Sequence, residues 1–372
     1  MNVILPLIIL FFWGLGFVLL WRIPTLKTMH GYTVTSAPLS VIIPARNEAE
    51  NLASLLQSIA AQALRPKEVI VVNDQSQDDT VRVAETAGCR VIHATNPPEG
   101  WIGKPWACYT GARKAAGEIL MFMDADTRLE PDGLKRILAT FEDTRGLLSI
   151  QPYHRMEKAY ERLSAVFNII VMAGMNTFTP LGPRLKPSGA FGPCNICTKK
   201  DYFRIGGHQH ARGDVLESLA LGRRFLQSGL NVRCYGGKGS VWFQMYPHGL
   251  GEMIEGHSKG FGTGAIAISP VLMIMLVCWV FGGVSLTRHL VESFITGASV
   301  VELVVWGGLD VLYILQNDWI LRRIGNFGFR TAFLFQIPLL FFVLVFFYSL
   351  VRVFVLGRVR WKGRTLDTNK KR

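Results

Sequence analysis

Three textures of hydrophobic and polar positions succeed one another along the chain. Val3 to Trp21 is an almost unbroken apolar run, close to the ~20 residues with which a helix crosses a bilayer. Met1 and Asn2 alone precede it, no basic n-region or small-x-small cleavage site accompanies it, and Arg22 and Lys27 follow. This predicts an uncleaved transmembrane anchor over residues 1–24, with the chain beyond it on the cytosolic side. From Pro38 the apolar runs shorten and alternate with helical spacing. Leu39-Ser-Val-Ile-Ile-Pro44, Glu68-Val-Ile-Val-Val72, Cys89-Arg-Val-Ile-His93 and Glu118-Ile-Leu-Met-Phe-Met123 read as strands, with helices over Glu50–Ala63 and Trp106–Ala116 between them. That alternation predicts an α/β domain with a mostly parallel, Rossmann-like sheet over residues 36–235. Such sheets bind ligands at the carboxyl ends of their strands.

The last third is again apolar. Pro270–Leu286 and Thr331–Leu356 predict spanning helices, whereas Ala298–Leu315 is weaker because Glu302 and Asp310 interrupt it. Two crossings leave the basic C-terminus cytosolic and three would not. The expected layout is therefore a membrane-interface segment at 236–265, a C-terminal transmembrane region at 266–356 and a basic cytosolic tail at 357–372. Leu163–Leu181 is also apolar enough to span, but a crossing there would put Asp124 and Glu217 on opposite sides of the membrane. A helix lying at the interface is expected over 163–181 instead.

At 372 residues, with 49% hydrophobic and 18% charged, the chain is too apolar for disorder and too long for a disulfide scaffold. Its six cysteines are expected as reduced thiols. The net charge of +13 could serve nucleic acid, anionic lipid or a phosphorylated substrate. Its location decides among them. From Arg352 to the end, Arg352, Arg358, Arg360, Lys362, Arg364, Lys370, Lys371 and Arg372 face only Asp367, so more than half the surplus lies in and beyond the last apolar run. That points to anionic lipid at the cytosolic face. Nucleic-acid binding would want the basic residues clustered on the soluble domain among aromatics.

Candidate chemistry sits where the strands end. Asp124-Ala-Asp126 closes the fourth run, and an i, i+2 pair on a strand points both carboxylates to one side. Two carboxylates there can hold Mg2+ or Mn2+, which neutralises a diphosphate. Pro44-Ala-Arg-Asn-Glu48 follows the first strand and Asn73-Asp-Gln-Ser-Gln-Asp-Asp-Thr80 the second. Asp74 is assigned to the site, and Asp78 and Asp79 to capping the helix that begins near Thr80. An NAD-dependent oxidoreductase would need Gly-x-Gly-x-x-Gly after the first strand, where Pro44 to Glu48 stand instead.

In combination and in order, Val41-Ile-Ile-Pro-Ala-Arg-Asn-Glu48, Val71-Val-Asn-Asp74, Gly103-Lys104, Gly111-Ala112 and Asp124-Ala-Asp126 resemble the successive motifs of glycosyltransferase family 2, whose members have the GT-A fold. The resemblance implies a UDP-sugar donor. Pro44, Ala45, Arg46 and Glu48 would line the nucleoside, with Glu48 near the ribose. Asp74 would face the uracil, Lys104 the diphosphate, and Asp124 and Asp126 the ribose, metal and diphosphate.

Further along, Pro187-Ser-Gly-Ala-Phe-Gly-Pro-Cys-Asn195 and Arg204-Ile-Gly-Gly-His208 are similar to the family's acceptor-side segment. The bland reading of Cys194-x-x-Cys197 is a small buried strand, since no second ligand pair accompanies it. His208 is read as a helix-end or core histidine. Glu217-Ser-Leu-Ala-Leu-Gly-Arg-Arg224 resembles the Glu-Asp-x-x-Leu segment in which the family places its general base, but Ser218 stands where the second acid would be. Either Glu217 or Asp214 takes the acceptor's proton, or the acceptor needs no base, as an ionised carboxylic acid would not.

The Gln-x-x-Arg-Trp motif of processive synthases is missing, and Glu255 to Ala265 stands in the comparable stretch. The chain thus resembles the membrane-bound carotenoid-acid branch. That implies an inverting transfer of one hexose, expected to be glucose, to a lipid acceptor drawn from the bilayer. Hopanoid-, ceramide- and glycerolipid-type transferases, and a non-catalytic sugar-nucleotide binder, are the alternatives. Lys259 and Trp361-Lys-Gly-Arg364 are further candidates for the diphosphate, and other enzymes of the lipid pathway are candidate partners. The expected location is the cell membrane, multi-pass, with a cytoplasmic catalytic domain.

Overall fold

The protein is described by a computed structural model that covers residues 3–27, 37–214, 216–264, 268–352, 358–361 and 364–367. It divides into a helical unit (Met1–Ile23, Arg155–Leu185 and Met245–Arg372) and a sheet unit (Pro24–His154 and Lys186–Gln244).

Helix α1 (Ile4–Leu19) opens the helical unit. The sheet unit then runs β1 (Leu39–Ala45), α2 (Ala49–Ala60), β2 (Glu68–Asn73), α3 (Thr80–Thr86), β3 (Arg90–His93), α4 (Gly103–Lys114) and β4 (Ile119–Met123). After β5 (Thr127–Leu129), α5 (Gly133–Thr144), β6 (Leu147–Gln151) and β7 (Tyr153–His154), the chain enters the helical unit for α6 (Ala165–Gly174). It returns for β8 (Cys194–Thr198), α7 (Lys199–Arg204), α8 (Glu217–Gln227), β9 (Val232–Gly236) and β10 (Val241–Phe243). The main sheet has the order β3-β2-β1-β4-β8-β6-β9, and β5-β10-β7 form a smaller one.

Strands β3, β2, β1 and β4 are mutually parallel, as the alternation with helices predicts. Beside β4, β8 runs antiparallel, with Met123 opposite Cys194. This inversion brings the start of β8 to the same edge as the carboxyl ends of β1, β2 and β4. The strands are apolar because both faces are covered. Helix α2 buries Leu52, Leu55, Leu56 and Ile59 at helical spacing, joining Val41, Ile43, Val71 and Met121 in one core. On α4, a Cβ added at Gly111 would meet Ile42 Cγ2 at 2.6 Å and Val72 Cγ2 at 2.9 Å, so glycine sets how closely this helix approaches the sheet.

The helical unit continues with α9 (Leu250–Gly264), α10 (Pro270–Thr296), α11 (Val300–Ile324), α12 (Phe329–Phe333) and α13 (Gln336–Leu350), and ends in the hairpin β11 (Arg358–Trp361) and β12 (Arg364–Asp367). Helices α10 and α11, with 27 and 25 residues, are long and apolar enough to cross a bilayer.

Here the sequence expectation is corrected. The segment expected to be the weaker one is the continuous helix α11, because Glu302 does not interrupt it but starts it. Its carboxylate accepts from Ser299 N at 3.1 Å while Glu302 N donates to Ser299 Oγ at 3.4 Å, a reciprocal N-terminal cap. The segment expected to span, Thr331–Leu356, is broken at Leu334-Phe335 into α12 and the 15-residue α13. Pro338 lies in the first turn of α13, where its missing N–H is tolerated; a helix running through it would lose a backbone bond and clash.

Helix α1, expected as an anchor, is tied by hydrogen bonds to α10 and α11. Gln316 on α11 accepts from Trp279 Nε1 on α10 at 2.9 Å and donates through Nε2 to Trp13 O on α1 at 2.7 Å. Arg323 donates to Leu20 O at 2.8 Å and Trp21 O at 3.2 Å, capping the C-terminus of α1. The expected interfacial helix over 163–181 is the 10-residue α6, nine of whose residues are buried inside this bundle. It is too short to span. The expected basic tail begins as the β11–β12 hairpin, and Lys362, Gly363 and the residues from 368 onward lie outside the described residues.

Candidate functional site

Register fixes the site. Ala45 pairs with Asn73, and Ile42 with Phe122, so the segments after β1, β2 and β4 leave the sheet side by side. Asp74 N donates to Ala45 O at 2.9 Å, and Asp124 N to Pro193 O at 2.9 Å, tying the second and fourth strand ends to their neighbours. Asn47 and Gln75 adopt φ values of 52° and 58°, the tight turns that let these loops fold back over the strands.

Lys104, in the first turn of α4, stands between two carboxylates. Its Nζ lies 2.7 Å from Asp124 Oδ1 and 2.9 Å from Glu217 Oε1. The Glu217 side chain is 7% exposed, whereas those of Lys104 and Asp124 are 35% and 28% exposed, so the pair opens to solvent on the Asp124 side. Burial alone would raise the Glu217 carboxyl, but the charge and hydrogen bond of Lys104 hold it below the usual range. Burial raises Asp124, and the carboxylates of Glu217 and Glu48 add to this against the pull of Lys104. Burial works against the charged form of Lys104, and the two carboxylates outweigh it, so the lysine stays firmly protonated.

A cavity opens here, lined by Pro44, Lys104, Cys108, Phe122, Asp124, Gly192, Asn195, His208, Ser218 and Leu221. Ser218 Oγ donates to Glu217 Oε1 at 3.2 Å. His208 is buried and hydrogen-bonded at Nδ1 to Tyr202 OH at 2.8 Å; burial pulls its pKa down to about 4, leaving the ring neutral.

The other expected site residues are placed as follows. Arg46 Nη1 donates to Asp74 O at 3.0 Å and lies 3.9 Å from Asp74 Oδ2. The Asp74 carboxylate packs so closely on Gly103 that any Cβ there would collide with it. Glu48 precedes α2 and accepts from Asn51 Nδ2 at 2.9 Å. Asp126 stands at the entrance to β5, after a turn held by Thr127 Oγ1 donating to Asp124 O at 2.7 Å. Asp214 follows the short turn Gly207–Ala211 and is not among the residues lining the cavity; Glu217 is the acid that reaches Lys104. Lys259 has no described side chain.

Asp78 does cap the start of α3, its Oδ1 accepting from Thr80 N at 3.1 Å, and it bonds a second helix as well, its Oδ2 accepting from Ala49 N of α2 at 3.0 Å. Asp79 precedes α3 and pairs with Arg82 instead of bonding the helix backbone. Cys194 and Cys197 are both buried free thiols. Three residues apart on a strand, they point to opposite faces and cannot share a ligand. Gly192 and Asn195, inside the segment expected on the acceptor side, line the cavity together with Cys108, which was not legible as a site residue.

Among the described residues no group of three His, Cys, Asp or Glu side chains forms a metal shell. Asp124 and Asp126 supply hard oxygen donors only, and a cation already sits against Asp124 in the form of the Lys104 ammonium. Asp124 and Asp126 lie in the turn between β4 and β5 and not on the strand itself, so the strand rule for an i, i+2 pair does not set their directions; as hard oxygen donors they suit Mg2+ or Mn2+ that keeps its remaining positions for water and diphosphate oxygens.

The glycosyl transferase family 2 profile matches residues 40–199. A 4,4'-diaponeurosporenoate glycosyltransferase from Staphylococcus aureus is 34% identical, with 89% of each chain covered, and one from Staphylococcus haemolyticus is 41% identical over 69% of each. The chain belongs to glycosyl transferase family 2 and is a glycosyltransferase. Among solved structures, a mannosyltransferase from Pyrobaculum calidifontis in complex with GDP-Man and Mn2+ shares the fold, at a TM-score of 0.53 and 17% identity over 93% of this chain and 95% of that one.

Proposed function

We propose that the protein is a multi-pass membrane enzyme that moves one glucose from UDP-glucose to the carboxylate of a carotenoid acid, giving a glycosyl ester with inversion. The observation that carries the reading is the Lys104 bridge between Asp124 and Glu217 beside an uncharged Ser218. Glu217, kept ionised below its usual range by that bridge, is a weak base. An acceptor that arrives already ionised needs none. One carboxylate oxygen attacks the anomeric carbon, the bond from that carbon to the diphosphate oxygen breaks, and UDP leaves with the electron pair. No proton moves.

In this reading Lys104 approaches the leaving diphosphate, Glu217 holds the lysine in place, and Asp214 stands aside. Pro44, Ala45, Arg46, Glu48 and Asp74 seat the nucleoside. Mg2+ or Mn2+ on Asp124 and Asp126 would neutralise the diphosphate. The names of the two relatives support the acceptor, and the apolar helices α10 and α11 support delivery from the bilayer, with the sheet unit in the cytoplasm. The test is transfer by purified protein in lipid nanodiscs with UDP-glucose and Mn2+. The carotenoid acid should be glycosylated and its methyl ester ignored. Preferential glycosylation of a hopanoid, ceramide or glycerolipid alcohol, with Glu217→Gln abolishing it, would overturn the proposal in favour of base catalysis; UDP binding without any transfer would leave a sugar-nucleotide binder.

A further inference from the structure

Asn195 is 1% exposed and sits in β8 between Phe122 of β4 and Ser149 of β6. Its orientation is determined by its neighbours. Nδ2 donates to Phe191 O at 2.7 Å and to Gly192 O at 3.3 Å, so turning the amide over would set oxygen against oxygen. Held this way, Oδ1 is a buried acceptor with no donor among the described residues. An uncompensated buried carbonyl is costly, and such groups in native proteins are usually met by water or ligand.

Asn195 lines the same cavity as Lys104, Asp124 and Ser218. Next to it, a Cβ added at Gly192 would meet nothing nearer than Lys104 Nζ, at 3.9 Å, so glycine leaves room beside the ammonium. An acceptor without a donor, next to the cation proposed for the diphosphate, matches a group that carries a donor hydroxyl and is bonded to that diphosphate. In a UDP-sugar the ribose and the transferred sugar both meet that description, and the proposed reading seats the nucleoside at Pro44, Ala45, Arg46, Glu48 and Asp74, which leaves the sugar. We infer that Asn195 is a specificity-determining residue whose Oδ1 accepts a hydroxyl of the transferred sugar. The inference rests on the proposed UDP-sugar reading and deepens it.

The experiment compares UDP-glucose with each of its monodeoxy analogues, using full-length protein in nanodiscs. With wild type, one analogue should lose at least about tenfold in kcat/KM, the loss expected when a site built to bond a hydroxyl is left unpaired. Asn195→Leu and the smaller Asn195→Ser should erase that preference while UDP affinity by calorimetry stays unchanged, which also shows that the variants are folded. Equal use of every analogue by wild type overturns the inference even if neither variant folds, as does a preference that survives in a folded variant. A wild type that transfers no sugar from UDP-glucose overturns the proposed function itself.

Discussion

At the scale of single residues, the site is a charge balance centred on Lys104. Removing the ammonium would leave Glu217 buried beside Asp124 with their repulsion uncompensated. A fully buried pair broken in this way costs about 3–5 kcal/mol; with Lys104 35% and Asp124 28% exposed, solvent screening reduces this to about 1–2 kcal/mol. Lys104→Met should therefore lower the melting temperature and, by losing the cation at the diphosphate, cut transfer by at least about a hundredfold. Adding Glu217→Gln should restore stability and not activity. A stable, active Lys104→Met enzyme would show that the lysine is idle.

His208 gives a second residue-scale test. Its pKa is about 4 in the fold, against about 6.5 unfolded. Between those values the unfolded chain binds the extra proton, so the histidine's contribution erodes as pH falls from about 7 to about 4, by up to about 3 kcal/mol. His208→Gln should flatten the fall in melting temperature across that window relative to wild type. Identical slopes would mean that the ring is already solvated.

What was legible in the sequence follows from range. Arg46, Asp74, Asp124 and Asp126 each follow an apolar strand, and strand ends converge in a parallel sheet whatever the details. The partnership of Lys104 with Glu217, 113 positions away, depends on how α8 docks, and no local spacing encodes it. For Asn195 the motif indicated the segment and not the role, because its value lies in which of its atoms is left unpaired.

At the scale of elements, local rules were legible except where one residue type serves opposite purposes. Val41 to Pro44 and Ile119 to Met123 are read correctly as strands because burial on both faces leaves no polar position to confuse the period. Glu302 was counted as a charge inside a spanning run, when it is half of the cap that begins α11. Pro338 was passed over inside an apolar stretch, although it makes the helix restart. Among the helices, Gln316 does what the apolar pattern cannot specify, joining α1, α10 and α11 through Trp13 and Trp279. Polar bonds between apolar helices contribute about 0.6–1.7 kcal/mol. Gln316→Leu should thus lower the melting temperature modestly in detergent and loosen α1, read as faster protease cleavage near Trp21. An unchanged cleavage rate would show that α1 is held by packing alone.

For the whole molecule, charge and apolar surface would hold it to a bilayer by forces that salt separates. The eight basic residues from Arg352 onward could each contribute about 1 kcal/mol at an anionic surface, a force that salt screens. The apolar surface is of another kind. On α10, Val271, Ile274, Val277, Phe281 and Val284 recur at helical spacing with exposures from 39% to 70%. Only 33% of the most apolar window of either long helix is buried, unlike the core helix of a soluble protein. That stripe in water would be a large exposed patch, and its burial in hydrocarbon is indifferent to salt. Insertion should dominate. Membranes from cells making the protein should retain it through high-salt and alkaline carbonate washes and release it only to detergent, and a chain truncated before Arg358 should behave the same way. Release by salt alone would mean that the basic tail is the true attachment and that α10 and α11 find their cover in another protein surface.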